Sequence, residues 1–185
     1  QDYADAGARI AYSRKEVLSA DVVLKIDAPS MEEIAEMSPG ACLISALQIE
    51  KQNSDFIKAL NEKKITAVAF EYLEDKVGGM PVVRAMSEIA GSTVMLIAAE
   101  YLSSVHNGKG LILGGVTGVP PTQVVIIGAG TGAEYAARTA LGLGANIKVF
   151  DNHIYKLRRI KQLLGQQIYT STIDNFSLGQ ALAEA

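Results

Sequence analysis

One cysteine, Cys42, occurs in 185 residues, so no internal disulfide can form and a reducing, cytoplasmic compartment is expected. There is no basic excess: 17 Lys and Arg face 20 Asp and Glu, for a formal charge of -3. That balance gives no electrostatic footprint for nucleic acid or for an anionic membrane surface. No stretch holds the roughly 18 to 20 uninterrupted apolar residues that a membrane span needs, so no membrane contact is expected. The first residues, Gln1-Asp2-Tyr3-Ala4-Asp5, carry neither a basic start nor an apolar run, which excludes a signal peptide there. They also lack an initiating Met, and the reading is of a processed chain or a piece of a longer one. No internal repeat or low-complexity tract is present. The length allows one large domain or two small ones with a proper core.

What is present is an alternation of strand and helix patterns, which argues a parallel-sheet α/β architecture. Ile10 to Tyr12 reads as a short strand, Arg14 to Ser19 as a short helix, and Asp21 to Ile26 as a buried strand ending at Asp27-Ala28-Pro29. Ser30 caps the next helix with Glu33 in capping-box spacing. Ala41 to Ala46 is a strand, Ser54 caps a helix over Asp55 to Lys63, and Thr66 to Phe70 is a strand running into Glu71. A loop at Lys76 to Pro81 precedes a helical pattern of about 20 residues, Ala85 to Val105, long enough to bridge two domains. A Gly/Pro-rich connector ends at Pro120-Pro121. The expected organisation is an N-terminal α/β domain over 1–84, a bridging helix and connector over 85–110, and a second α/β domain over 111–185. After Asp151, a basic helix (Ile154 to Leu164), a strand (Gln167 to Ser171) and a helix (Ser177 to Ala185) complete three strands, the first half of a Rossmann sheet.

The most informative segment is Val124 to Ala137, where a buried strand turns through Gly128-Ala129-Gly130 into a helix. Its spacing is G-x-G-x-x-A. Gly128 permits the tight turn, Gly130 lets backbone approach a pyrophosphate, and Ala133 lets the helix pack closely on the sheet. The helix start, from Thr131, points free N–H groups and a positive dipole end at the phosphates. A second strand, Asn146 to Asp151, ends in a carboxylate 23 residues after Gly128, placed to accept hydrogen bonds from an adenosine ribose. The implied cofactor is a dinucleotide.

Several strings resemble the alanine dehydrogenase and pyridine nucleotide transhydrogenase alpha-subunit family. They are Ala20 to Lys25, Ala85-Met-Ser-Glu-Ile-Ala-Gly91, Leu113 to Pro121, Val125 to Thr131 and Leu141 to Ala145. The resemblance covers the whole chain and is closer to the dehydrogenase branch. It implies two doubly wound parallel-sheet domains, a flavodoxin-like N-terminal part and the first half of a Rossmann domain, joined by a long helix. It further implies NAD-dependent oxidation of L-alanine to pyruvate and ammonia, with a small amino or keto acid as substrate and a homo-oligomeric assembly. Lys25 matches the lysine that holds the substrate carboxylate, and an ammonium there can polarise a neighbouring carbonyl. Met86 and Ser87 match residues of the bridging helix that touch substrate and dinucleotide, and Ser87 also reads as a helix-start cap. Gln48 stands where the family has its proton-transferring histidine; an amide can bind a carbonyl oxygen but cannot exchange a proton near neutral pH. The family's N-terminal arginine and a later aspartate have no counterpart in this sequence. In the loop where the transhydrogenase branch carries arginine, glutamine and aspartate stand Lys76, Gly78 and Pro81. Two alternatives therefore stay open: the NAD-binding component of a proton-translocating transhydrogenase, and a nucleotide-binding or sensing protein without catalysis.

Other chemistry-bearing residues read as structural. His106 favours a helix C-terminus, Cys42 belongs to the core, and Lys156, Arg158, Arg159 and Lys161 form a solvated helix face. Glu71 alone is no metal site, and none is expected. His153 lies near the second strand end, within reach of an adenine.

Overall fold

The computed structural model describes residues 1–185. Two compact units divide the chain, Gln1–Val83 and Arg84–Ala185. Each is built on a three-stranded parallel sheet whose order follows the sequence.

The first unit runs α1 (Asp2–Asp5), α2 (Arg14–Leu18), β1 (Val22–Asp27), α3 (Met31–Glu36), β2 (Cys42–Ala46), α4 (Ser54–Glu62) and β3 (Thr66–Ala69). Right-handed crossovers that advance in one direction put their helices on one face of a sheet, and α3 packs against α4. The core on that face contains Val23, Ile34, Met37, Leu43, Leu47, Phe56 and Leu60. The other face carries an exposed apolar row, Val22, Leu24 and Ile26, with Leu24 75% exposed. Period-2 alternation explains the split, and it corrects the expectation for Cys42. Leu43 and Ser45 point to the covered face and are buried, while Cys42 and Ile44 are only half-buried.

Local chemistry sets the element ends. Ser30 and Glu33 form the expected capping box at α3. The cap of α4 is Asn53, not Ser54: its side-chain oxygen accepts the Phe56 N–H at 2.9 Å. Ile10 to Tyr12 makes no strand, because these residues find no sheet partner and lie near the surface.

The second unit holds α5 (Pro81–Leu102), whose first three residues belong to the first unit, then β4 (Gln123–Ile127), α6 (Thr131–Gly142), β5 (Asn146–Phe150), α7 (Ile154–Leu164), β6 (Tyr169–Ser171) and α8 (Asn175–Ala183). The long helix starts four residues before the expected Ala85, with Pro81 in its first turn, where a missing N–H costs nothing. It stops at Leu102, short of the expected Val105. By length and composition α5 is long and apolar enough to cross a membrane, although charged Arg84, Glu88 and Glu100 interrupt it. Here Met95 joins the core of Ile126, Ala136, Ala137, Ala140, Ile147, Val149, Leu157 and Ile160. The basic residues Arg158 and Arg159 of α7 are exposed, as its amphipathic pattern requires.

Candidate dinucleotide site

Strand β4 leads directly into the glycine turn. Gly128 has φ +101, a conformation that favours glycine, and its N–H donates to the Phe150 carbonyl at 2.6 Å, tying the turn to the end of β5. Gly130 caps α6 without a side-chain bond. No acceptor in the chain takes the N–H groups of Gly130, Thr131, Gly132 or Ala133. A Cβ added at Gly128 or Gly130 would meet nothing within 4 Å. The helix start thus presents unpaired donors, a positive dipole end and open space on one side, which is what a pyrophosphate needs.

Asp151 follows β5 and is 7% exposed. Its Oδ2 accepts the Ala129 N–H at 2.8 Å; its Oδ1 accepts the His153 N–H at 2.7 Å and contacts the His153 Nδ1 at 3.0 Å. Burial pushes the carboxyl up, but the His153 and Ala129 amides and the His153 ring outweigh it and hold the group below its ordinary range. The structure therefore brings Gly128, Gly130, Thr131, Ala133 and Asp151 together around a buried acid. Sequence reasoning missed the Ala129 amide and the His153 contact. The spacing Asp-Asn-His, two residues apart at a strand-to-helix junction, was the available signal for the latter.

Helix α5 leans on the same turn. A Cβ on Gly91 would lie 2.2 Å from the Gly132 carbonyl oxygen and 2.9 Å from the Tyr135 Cβ, so the two helices touch backbone to backbone. A groove of about 420 Å³ beside the crossing is lined by Ala90, Val94, Ile127, Gly132 and Ala133, among others. Ser87 sits well inside α5 rather than at its start, so it is no cap; its carbonyl oxygen lies 3.6 Å from the Cβ position of Gly132. Met86 is exposed on the α5 surface, among Ile89, Ala90, Thr93, Val94 and Ile97.

In the first unit, Lys25 and Gln48 are each engaged by their own neighbours. Lys25 lies within β1 rather than at its end, and its Nζ is 2.7 Å from Glu33 Oε2, the oxygen that also accepts the Ser30 N–H in the capping box. The Lys25 bond and the Ser30 amide together hold the Glu33 carboxyl below its ordinary range. Gln48 adopts a left-handed conformation, φ 47, and its backbone N–H donates to Glu71 Oε1 at 2.7 Å. Its side-chain oxygen accepts Lys51 Nζ at 2.8 Å. Glu71 thus serves the turn after β2, a role sequence spacing did not reveal. His106 lies past the end of α5 in a 3-10 turn and pairs with Glu100 at 3.2 Å. No group of three or more His, Cys, Asp or Glu is placed to hold a metal.

A parallel sheet with a glycine turn at its first strand end and a buried acid at its second defines a protein with a dinucleotide-type α/β fold. Family models described as alanine dehydrogenase/PNT, N-terminal domain, and alanine dehydrogenase/PNT, C-terminal domain, match residues 1–90 and 94–185. The chain belongs to the alanine dehydrogenase/pyridine nucleotide transhydrogenase family. It is 34% identical to an alanine dehydrogenase of Bilophila wadsworthia over all 185 residues, and 34% identical to one of Bacillus subtilis over 183. These alignments take in 49% and 48% of the two relatives, so the chain spans about half the length of the curated relatives it matches. Among solved structures, an L-alanine dehydrogenase superposes with a TM-score of 0.83 at 32% identity, over 100% of this chain and 51% of that one. A transhydrogenase from Sinorhizobium meliloti gives 0.75 at 25% identity, over 99% and 53%.

Proposed function

We propose that the second unit binds NAD and that the whole protein is an NAD-dependent oxidoreductase of alanine dehydrogenase type. One observation carries the reading: a buried Asp151 whose carboxylate accepts the Ala129 amide inside the glycine turn, beside four unpaired amides at the start of α6. The amides of Gly130 to Ala133 hold the pyrophosphate. Asp151 accepts from the adenosine ribose and disfavours NADP. Ser87 and Met86 complete the cofactor and substrate contacts from α5.

When bound, NAD would supply the redox chemistry, as acceptor of a hydride from the substrate α-carbon. Lys25 pairs with the substrate carboxylate, in competition with Glu33. Gln48 donates its amide to the substrate oxygen, since Lys51 already occupies its own oxygen. The substrate is a small amino or keto acid, the working protein self-associates, and it resides in the cytoplasm. The relatives' names support the substrate class, and the single cysteine supports the compartment.

The test uses the full-length protein. NADH is expected to bind at micromolar concentration, and NADPH about tenfold or more weakly. Addition of alanine and NAD is expected to yield NADH, with Lys25→Ala raising the KM for alanine. Binding without turnover of any small amino acid moves the protein to the sensing class, a reading favoured by Gln48 in place of a proton carrier. The transhydrogenase likeness favours a third reading, hydride exchange between two nucleotides, which the residues Lys76, Gly78 and Pro81 do not support.

A further inference from the structure

The acceptor capacity of Asp151 is nearly used up inside the protein. An ionised carboxylate offers about four lone-pair sites and no donor. Two backbone amides already fix it, one on each oxygen: His153 N–H on Oδ1 and Ala129 N–H on Oδ2. The imidazole contact at 3.0 Å takes a third site. Because the carboxylate can only accept, Nδ1 carries the proton in this contact. What remains is one site on Oδ2, whereas a ribose diol brings two hydroxyls.

The ring is redundant for holding the acid, since the two amides do that without it. It is also free to leave, because the His153 side chain is 55% exposed. Its one aromatic neighbour is Tyr155, edge-on at 5.5 Å between ring centroids and itself exposed. Nothing buried has to move when the ring turns away. Lys156 is the charged group acting on Asp151 from α7, and its backbone N–H bonds the His153 carbonyl rather than the ring.

We propose that His153 is an affinity-determining residue for the dinucleotide: its imidazole occupies an acceptor site of Asp151 that the second ribose hydroxyl must take, and it swings off Oδ1 when the nucleotide binds. This rests on the NAD reading of the site above. The ring lowers affinity for NAD(H) in the resting protein, and the displacement accompanies every binding event.

The experiment titrates the full-length protein with NADH by fluorescence and follows the imidazole nitrogens by NMR. His153→Ala is expected to tighten NADH binding about threefold to tenfold, the worth of one such hydrogen bond. His153→Asn keeps a side-chain donor and is expected to bind like the parent. In an Asp151→Asn background, His153→Ala is expected to change nothing. The Nδ1 resonance of His153 is expected to lose its hydrogen-bonded shift on saturation with NADH. Unchanged or weaker NADH binding by a folded His153→Ala protein overturns the proposal, as does an Nδ1 resonance unmoved by saturation. If the parent protein binds no NADH at all, the NAD reading fails and this inference falls with it. NADH binding that Asp151→Asn abolishes but His153→Ala leaves alone removes the inference only.

Discussion

Beyond β4 the chain turns through Gly128, leaves four amides unpaired and meets a buried acid; beyond β2 it turns through Gln48, whose backbone N–H and side-chain oxygen are already taken by Glu71 and Lys51. The sheets themselves have the same order and the same one-directional crossovers. The difference lies in what makes the strand end. In the second unit it is backbone: glycine dihedrals, a helix dipole and amides that no group of the chain accepts from. In the first unit it is side chains, Lys25 with Glu33 and Gln48 with Glu71 and Lys51, which pair with one another and leave Glu71 Oε2 buried without a partner. A parallel sheet does not by itself create a site. A strand end becomes one when the local backbone leaves its own groups unpaired.

The sharpest way to break this contrast is at the backbone crossing. Gly91→Val forces a Cβ to within 2.2 Å of the Gly132 carbonyl oxygen, and backbone cannot yield as a flexible side chain does. Overpacking of this kind costs roughly 1–3 kcal/mol or more, and it shifts the first turn of α6. Both thermal unfolding and NADH affinity are expected to suffer. Gly142→Ala, whose added Cβ meets nothing, serves as the control and is expected to be neutral or to stabilise by up to about 1 kcal/mol. Equal behaviour of the two variants would remove the crossing from the account of the site.

Next in size is the acid limb of stability. Asp151 is held below its ordinary range, so its contribution is complete above the usual carboxylate pKa and is lost as pH falls through the depressed one. Glu33 is shifted the same way and contributes with the same sign. Denaturant midpoints collected between about pH 3 and 7 are expected to rise with pH, and Asp151→Asn to flatten part of that rise. Only Asp151→Asn should also weaken NADH binding, by about tenfold or more; a comparable loss from Glu33→Gln would erase the distinction between the two units.

Glu33→Gln itself is expected to destabilise by about 1–2 kcal/mol, since it leaves Lys25 without a counter-charge and weakens the capping box. Equilibrium unfolding in urea measures this. Smallest is Lys58→Ala, which breaks a pair with Asp55 whose side chains are 68% and 69% exposed, and which is expected to stay within about 0.5 kcal/mol by the same measurement.

The contrast also explains how much of the fold and of the candidate site is legible in the sequence. Gly128, Gly130, Ala133 and Asp151 were legible because backbone requirements leave a sequence trace: only glycine suits φ +101, and a carboxylate one strand later meets the turn through fixed parallel register. The capping box of Ser30 and Glu33 was legible for the same reason. The partners of Lys25, Gln48 and Asp151 were not. Each depends on which rotamer meets which neighbour, as when Glu33 serves Ser30 and Lys25 with one oxygen. The left-handed turn at Gln48 was hidden as well, because glutamine carries no bias toward it and the Glu71 carboxylate that receives its N–H lies 23 residues away. Ile10 to Tyr12 failed as a strand because apolar pattern alone supplies no ladder partner.

The contact of Gly91 with Gly132 has a consequence for timing. With no side chain between them, the two helices share one rigid body at the first turn of α6, and that turn carries the amides awaiting an anion. Their orientation is fixed when the core sets, not when a ligand arrives. A nucleotide docking there loses its own freedom but orders little of the backbone that receives it.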